Sequence, residues 1–368
     1  MCKRLKTIFV LLCLSFALFA CSNGGSASHT TNTAAMNQSP QTQVSQPDGT
    51  FHEYALPQSK SGIMRPAIDH QQHIWFGEMG HNYLTEFDPV SKTFHQFPTP
   101  HGQYGIMGVA VAADNSIWFA EQYANYIGHY DPRSNHFTTY ALPSISTPDP
   151  NNSKQTLKLP LAPNELAIDA QGNVWFTEMN ADAIGKLDTK SGKFTHYPLS
   201  SPRTVQQINP YGITIDKDNM VWFTEAGKDA IGRLDPQTGA LHMYSDPQPY
   251  TSFMEVTSAS TGQLWLTTFN ASVLVQFNPQ TGTFASYHAT ANDGGISGMY
   301  GISISPTNAI WVTVPAANAI ARFNPQSKKF QYYTIPTGNV TPLGLVIDQH
   351  NALWFTESAK DQLGVLQP

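Results

Sequence analysis

Cysteine is nearly absent: the 368 residues contain 3, and two of them, Cys2 and Cys13, fall in a leading segment marked for removal. Cys21 is then alone, which excludes an intrachain disulfide and a cysteine-held metal in the mature chain. Charge is scarce too, at 12% Asp, Glu, Lys and Arg, which excludes a coiled coil or an extended polyelectrolyte. The formal charge is -6, and removal of residues 1–20 takes Lys3, Arg4 and Lys6 away to leave 17 basic against 26 acidic residues, or -9. That balance argues against nucleic acid as the main partner. No Gly-rich phosphate loop follows a strand, and neither a His-Glu-x-x-His pattern nor a Gly-x-Ser-x-Gly elbow occurs. The apolar stretch Ile8 to Ala20 is shorter than the ~20 residues that a membrane-spanning helix needs.

That stretch follows Lys3, Arg4 and Lys6, the arrangement of a secretory signal. It ends Leu18-Phe19-Ala20-Cys21, which resembles a bacterial lipobox and implies cleavage before Cys21 and lipidation of that residue. Residues 22–50 are rich in Ser, Thr, Asn and Gln with Asp48 as the one acid, and they lack the apolar mass to fold. The expected organisation is a lipoprotein signal peptide at 1–20, a lipid-anchored flexible linker at 21–50 and one folded domain at 51–368. The expected location is the bacterial cell envelope, outside the cytoplasm, with the membrane as a partner through the lipid.

What the sequence has in abundance is aromatic rings in register. All seven tryptophans recur in one pattern, Trp75, Trp118, Trp175, Trp222, Trp265, Trp311 and Trp354, at spacings of 43, 57, 47, 43, 46 and 43 residues, the period of propeller blades. The clearest unit runs Tyr211 to Asp216, Val221 to Glu225, Ala230 to Pro236 and Leu241 to Tyr244, four short strands bounded by turns. Thirteen residues after each Trp stands Asp88, Asp131, Asp188, Asp235, Asn278, Asn324 or Gln367, mostly before Pro, marking the turn after the third strand. The fold expected is all-β, a seven-bladed propeller of four-stranded antiparallel blades with the Trp rings packed between them. The last unit stops after its third strand, and Phe51 to Pro57 matches the fourth-strand segments, so an amino-terminal strand is expected to close the ring.

Two residue series meet at one end of such a ring. Eleven residues before each Trp stand Met64, Met107, Asn164, Tyr211, Met254, Tyr300 and Leu343, and three residues after it Glu78, Glu121, Glu178, Glu225, Thr268, Val314 and Glu357. Five carboxylates on a narrow channel need a divalent cation, raised pKa values or nearby donors, and their oxygens suit Mg²⁺ or Ca²⁺. The alternative is a repeat residue that bonds neighbouring-blade backbone. The Met, Tyr and Leu series suits either an apolar ligand mouth or a plug. Arg65, Glu165 and Glu255, one place later, break the repeat where a specific ligand contact would stand.

The long spacing places about 14 extra residues within Ser144 to Pro163, with Pro148, Pro150, Lys154 and Lys158, as a cover for the mouth or a tolerated insertion. Histidines such as His95, His136, His196 and His242 fall near outer strands or turns and read as surface residues. Asp216-Lys217-Asp218-Asn219 reads as a turn, because it lacks the downstream glutamate of a calcium loop.

The Gly212-Ile213, Trp222 to Glu225 and Ile231 to Arg233 segments resemble the streptogramin B (virginiamycin B) lyase family, over nearly all of residues 51–368. The resemblance implies the seven-bladed fold and an elimination that linearises a cyclic depsipeptide with Mg²⁺ and a general-base histidine eleven residues before a Trp. It also implies a metal-linked glutamate three residues after Trp, which carries over to Glu78, Glu121, Glu178, Glu225 and Glu357. The histidine does not carry over, since all seven places hold Met, Asn, Tyr or Leu. Tyr211 and Tyr300 remain as weak candidate bases, which would need a phenol pKa far below 10. The leading expectation is therefore a monomeric propeller that binds a small molecule, peptide or protein. The alternatives are a Mg²⁺-dependent carbon–oxygen lyase and a lactonase-like hydrolase.

Overall fold

The computed structural model describes residues 49–102, 105–149, 152–200, 205, 207–248, 252–289 and 298–368. The expected signal segment, Cys21 and the expected linker up to residue 48 lie outside the described residues, as does Pro150.

Seven four-stranded antiparallel sheets form the blades. In the fourth, the strands run Pro210–Ile215, Val221–Glu225, Ala230–Leu234 and Leu241–Ser245 from the axis outward. Each second strand carries the Trp and is buried along its length, as Val221–Glu225 is, because both of its faces meet neighbouring blades. The fourth strands mix exposed and half-buried positions at the rim, as Lys193–Pro198 does. Among the described residues the one helical element is a single turn, Pro315–Ala317, and no helix is long and apolar enough to cross a membrane.

The core is a set of layers between blades. Trp175 and Ile184 of the third blade pack with Ile213, Val221, Phe223 and Leu234 of the fourth, and every Trp is at most 6% exposed. The glycine of the Ile-Gly-Arg segment makes this layer possible: a Cβ on Gly232 would stand 2.1 Å from the Phe223 ring. The Asx series does what its spacing predicts. Oδ1 of Asp88, Asp188, Asp235 and Asn324 accepts the amide of the residue two places on, so the turn is held by the side chain.

Trp75, Trp175, Trp222 and Trp354 are fixed by an additional bond. Each donates its indole N–H to the aspartate six residues earlier, Asp69, Asp169, Asp216 or Asp348, at 2.7–3.0 Å. Asp216 also accepts the amides of Asp218 and Met220, so the expected turn there is a Trp-anchoring turn.

The ring closes as the sequence predicts. Thr50–Ala55 is the outer strand of the last blade and pairs with Gln362–Gln367 from Thr50 opposite Gln367 to Ala55 opposite Gln362. Tyr54 stacks on Trp354 of that blade and packs on Phe87 of the first, tying the two ends of the chain together. The inserted segment forms a two-stranded sheet of its own, Ser144–Asp149 with Asn152–Pro160. Its Ile145 is buried with Leu142, Leu161 and Leu166, and its Lys158 is exposed.

Candidate functional site

The innermost strands carry a bulge. In the fourth blade Pro210 pairs with Glu225 and Ile213 with Phe223, so Tyr211 and Gly212 together oppose Thr224 alone. The same shift occurs in the second, third, fifth and seventh blades. A bulge bends the strand and re-aims side chains, and here it delivers two successive residues per blade to the axis.

The first of each pair forms an apolar layer. Met64, Met107, Met254 and Tyr300, from four blades, are buried against one another, with Tyr211, Leu343, Met79 and Phe269 partly buried around them. Buried methionines thus fill the axis, and the residues around them stay partly exposed. Asn164, fully buried, donates its amide to the Tyr211 carbonyl.

The second of each pair is Gly in the second, fourth, sixth and seventh blades and Arg65, Glu165 and Glu255 in the first, third and fifth. A Cβ on Gly212 would meet the Met254 carbonyl oxygen at 2.5 Å, and one on Gly344 the Met64 oxygen at 2.4 Å, so adjacent blades touch there through backbone. The three long side chains meet across the axis. Arg65 Nε donates to Glu255 Oε1 at 2.8 Å and lies 3.7 Å from Glu165 Oε1. Its guanidinium also sits over the rings of Tyr211 and Tyr300, at 4.9 and 5.8 Å from their centroids. The two phenols are hydrogen-bonded to each other.

Burial followed by the Glu255 charge holds the Glu165 carboxyl well above the usual range. Burial opposes the charge of Arg65, but Glu255, the two tyrosines and Glu165 more than offset this and raise its pKa well above normal. Burial raises Tyr211, and raises Tyr300 well above the ordinary phenol. On the side away from the apolar layer the cluster lines a cavity of about 190 Å³ with Val109, Thr257 and Ser303 among its walls.

The threonine of Trp-Phe-Thr-Glu joins blades to one another at this level. Thr224 accepts the Gly212 amide and donates to the Met254 carbonyl of the next blade at 2.6 Å. Thr267 and Thr356 do the same toward Tyr300 and Met64.

The five glutamates are not brought together at the axis. Glu78 accepts from Thr85 and Gln96 on the third and outer strands of its own blade, both at 2.6 Å. Glu178 meets His196 of its outer strand, which is thereby half-buried and not a plain surface residue. Glu357 lies against Glu53 of the closing strand, and burial followed by that charge pushes it up to about 8. Burial followed by Asp182 pushes Glu225 up to about 7. Glu121 Oε2 meets His101 Nδ1 at 2.7 Å, and that imidazole stacks on Tyr126. Sequence spacing missed His101, because it stands in a connection between blades. Among the described residues no three of these carboxylates lie within reach of one ion.

Comparison with known proteins agrees with this architecture. The model of the virginiamycin B lyase family matches residues 155–368, and the chain belongs to that family. A streptogramin B lyase structure is 27% identical, covering 87% of this chain and 97% of that one with a TM-score of 0.75. A catalytically inactive histidine-to-alanine variant of virginiamycin B lyase from Staphylococcus aureus, with quinupristin, is 23% identical, with 87% and 100% coverage and a TM-score of 0.75. The extracellular domain of a B. thetaiotaomicron hybrid two-component system is 15% identical, with 86% and 39% coverage and a TM-score of 0.65. No curated protein matches the sequence.

Proposed function

We propose that this chain is a binding propeller displayed outside the cytoplasm and held to the membrane by a lipid on Cys21, which takes a small molecule with aromatic or aliphatic groups on its axial floor. The observation that carries this reading is the state of Tyr211 and Tyr300. They occupy the places where the family resemblance calls for a base, yet their phenols are bonded to each other beneath Arg65 and burial raises both above the ordinary phenol. A phenol so held keeps its proton at neutral pH and cannot abstract one from substrate. The partly exposed Met79, Tyr211, Phe269 and Leu343 supply the apolar contact surface.

Elimination of a streptogramin B is the second reading, and family membership favours it. Incubation of the full chain with a streptogramin B antibiotic and Mg²⁺, followed by chromatography and mass spectrometry, separates the two. Intact cyclic compound is expected from folded protein. A linear product of unchanged mass would establish elimination, and a gain of one water would establish hydrolysis. If elimination occurs, Tyr300→Phe tests the phenol, and unchanged turnover clears it.

A further inference from the structure

At the opposite end of the ring the first blade departs from all the others. The residue eleven places after Trp lies directly across the strand pair from the indole, as Lys186 does from Trp175 and Glu86 from Trp75. In the third, fourth and sixth blades it is a cation over the ring: Lys186 at 5.1 Å, Arg233 at 5.9 Å and Arg322 at 5.7 Å from the centroid. The first blade puts Glu86 there instead. A carboxylate beside the negative face of an indole is unfavourable unless a cation stands with it.

That blade also supplies a histidine where the others have Ser, Asn, Met, Gln or Ala, two residues before Trp. His73 Nδ1 lies 2.6 Å from Glu86 Oε1 and 3.3 Å from Asp69 Oδ2. Among the described residues this is the one group of three His, Asp or Glu side chains whose ligand atoms all lie within 4.8 Å of one another. Asp69 is already fixed: Oδ1 accepts the amides of Gln71 and His73, and Oδ2 accepts the Trp75 indole N–H. The equivalent Asp169, Asp216 and Asp348 bind their Trp in the same way, with Asn173, Met220 and Ala352 in the place of His73 and Lys186, Arg233 and Val365 in the place of Glu86, so the turn is common to the fold and the two extra side chains are particular to this blade.

We propose that Asp69, His73 and Glu86 bind one zinc ion, at the end of the ring away from the apolar floor. An imidazole nitrogen with two carboxylate oxygens suits zinc better than Mg²⁺ or Ca²⁺, which favour oxygen alone. The ion takes the place of the proton that the imidazole shares with the carboxylates, and that proton leaves to solvent. The hydrogen bonds to Asp69 hold one ligand in place before the ion arrives. His95 pairs directly with Glu86 across the third and outer strands and is exposed, so it stands on the same face as a further donor. His73 is 29% and Glu86 15% exposed at the side chain, enough for an ion to enter.

Calorimetry of the untagged, chelator-treated full chain with zinc chloride, and with magnesium chloride for comparison, tests this alongside thermal melting. The expected result is one zinc per chain, a rise in melting temperature with zinc, and no matching effect of magnesium. His73→Ala should weaken zinc binding about tenfold or more. Glu86→Lys should fold with an undiminished melting temperature, since it restores the cation of the third blade, and should lose both the zinc heat and the zinc-dependent shift. Wild type with neither heat nor shift would overturn the proposal, and so would zinc binding that survives intact in Glu86→Lys.

Discussion

Arg65 of the first blade is ion-paired with Glu255 of the fifth, 190 positions away, through its Nε and one terminal nitrogen at 2.8 Å. The pair crosses the ring axis and is shielded on both sides, Arg65 being 7% and Glu255 6% exposed. Removing the guanidinium leaves the buried Glu255 carboxylate without the cation that now offsets its charge. Arg65→Leu should therefore destabilise the domain by about 3–5 kcal/mol, the usual cost of orphaning one member of a buried pair. Denaturant unfolding reads this directly. Adding Glu165→Gln and Glu255→Gln should recover part of the loss, because it takes away the uncompensated charge, and a triple variant no more stable than Arg65→Leu would refute the electrostatic account.

Stability should also fall as pH rises. Glu225 is pushed up to about 7 and Glu357 to about 8, both chiefly by burial. An unfolded glutamate titrates near 4.3, so below that value both states hold the proton and the carboxyls cost nothing. Between there and pH 8 the unfolded chain releases protons that the folded chain retains, and stability declines until the folded groups ionise as well. Melting temperatures at pH 5, 6.5 and 8 should descend in that order. Glu357→Gln should shrink the descent by removing the carboxyl that faces Glu53, and a flat profile in wild type would contradict the assigned pKa directions.

Periodicity makes the ring, its strand count and its closure readable in the sequence, because Trp, Asx and Glu recur at fixed offsets from blade to blade. The site was readable only in position. Arg65, Glu165 and Glu255 stood out as departures from Gly, but their meeting depends on blades one, three and five facing a common axis. The direction of the five glutamates was not readable, since it is decided by outer-strand partners that differ from blade to blade: Gln96 for Glu78, His196 for Glu178, Glu53 for Glu357. The aspartate six residues before four of the tryptophans was visible all along, and only the indole hydrogen bond gives it meaning.

The threonine link between blades makes a prediction about the bulge. Thr224 accepts one buried backbone amide and donates to one carbonyl of the next blade. Thr224→Val keeps the shape and removes both bonds, leaving two buried groups unsatisfied, which costs about 1–3 kcal/mol for each such group. Thermal or denaturant melting should register the loss. The first and second blades have Gly77 and Ala120 at this place, so those blades already do without the link. Thr224→Val as stable as wild type would mean that the bulge is held by packing alone.

The closing strand should matter out of proportion to its length. Thr50–Ala55 completes the last blade, Leu56 donates its amide to the Asp361 carbonyl, and Asp361 in turn accepts the amides of Lys60, Ser61 and Gly62. Deleting residues 50–57 exposes the edge of Gln362–Gln367 and uncovers Trp354 and Phe87, which Tyr54 now covers. An open edge has unpaired backbone along its whole length and invites pairing with another chain. The truncated protein should melt well below the full chain and gain a tendency to associate, measurable by calorimetry and light scattering. Asp361→Ala offers the milder version: the strand stays, its three amide contacts go, and the melting temperature should fall by less than in the deletion. Equal melting for the deletion and the full chain would mean that the first and last blades hold each other without the strand that now joins them.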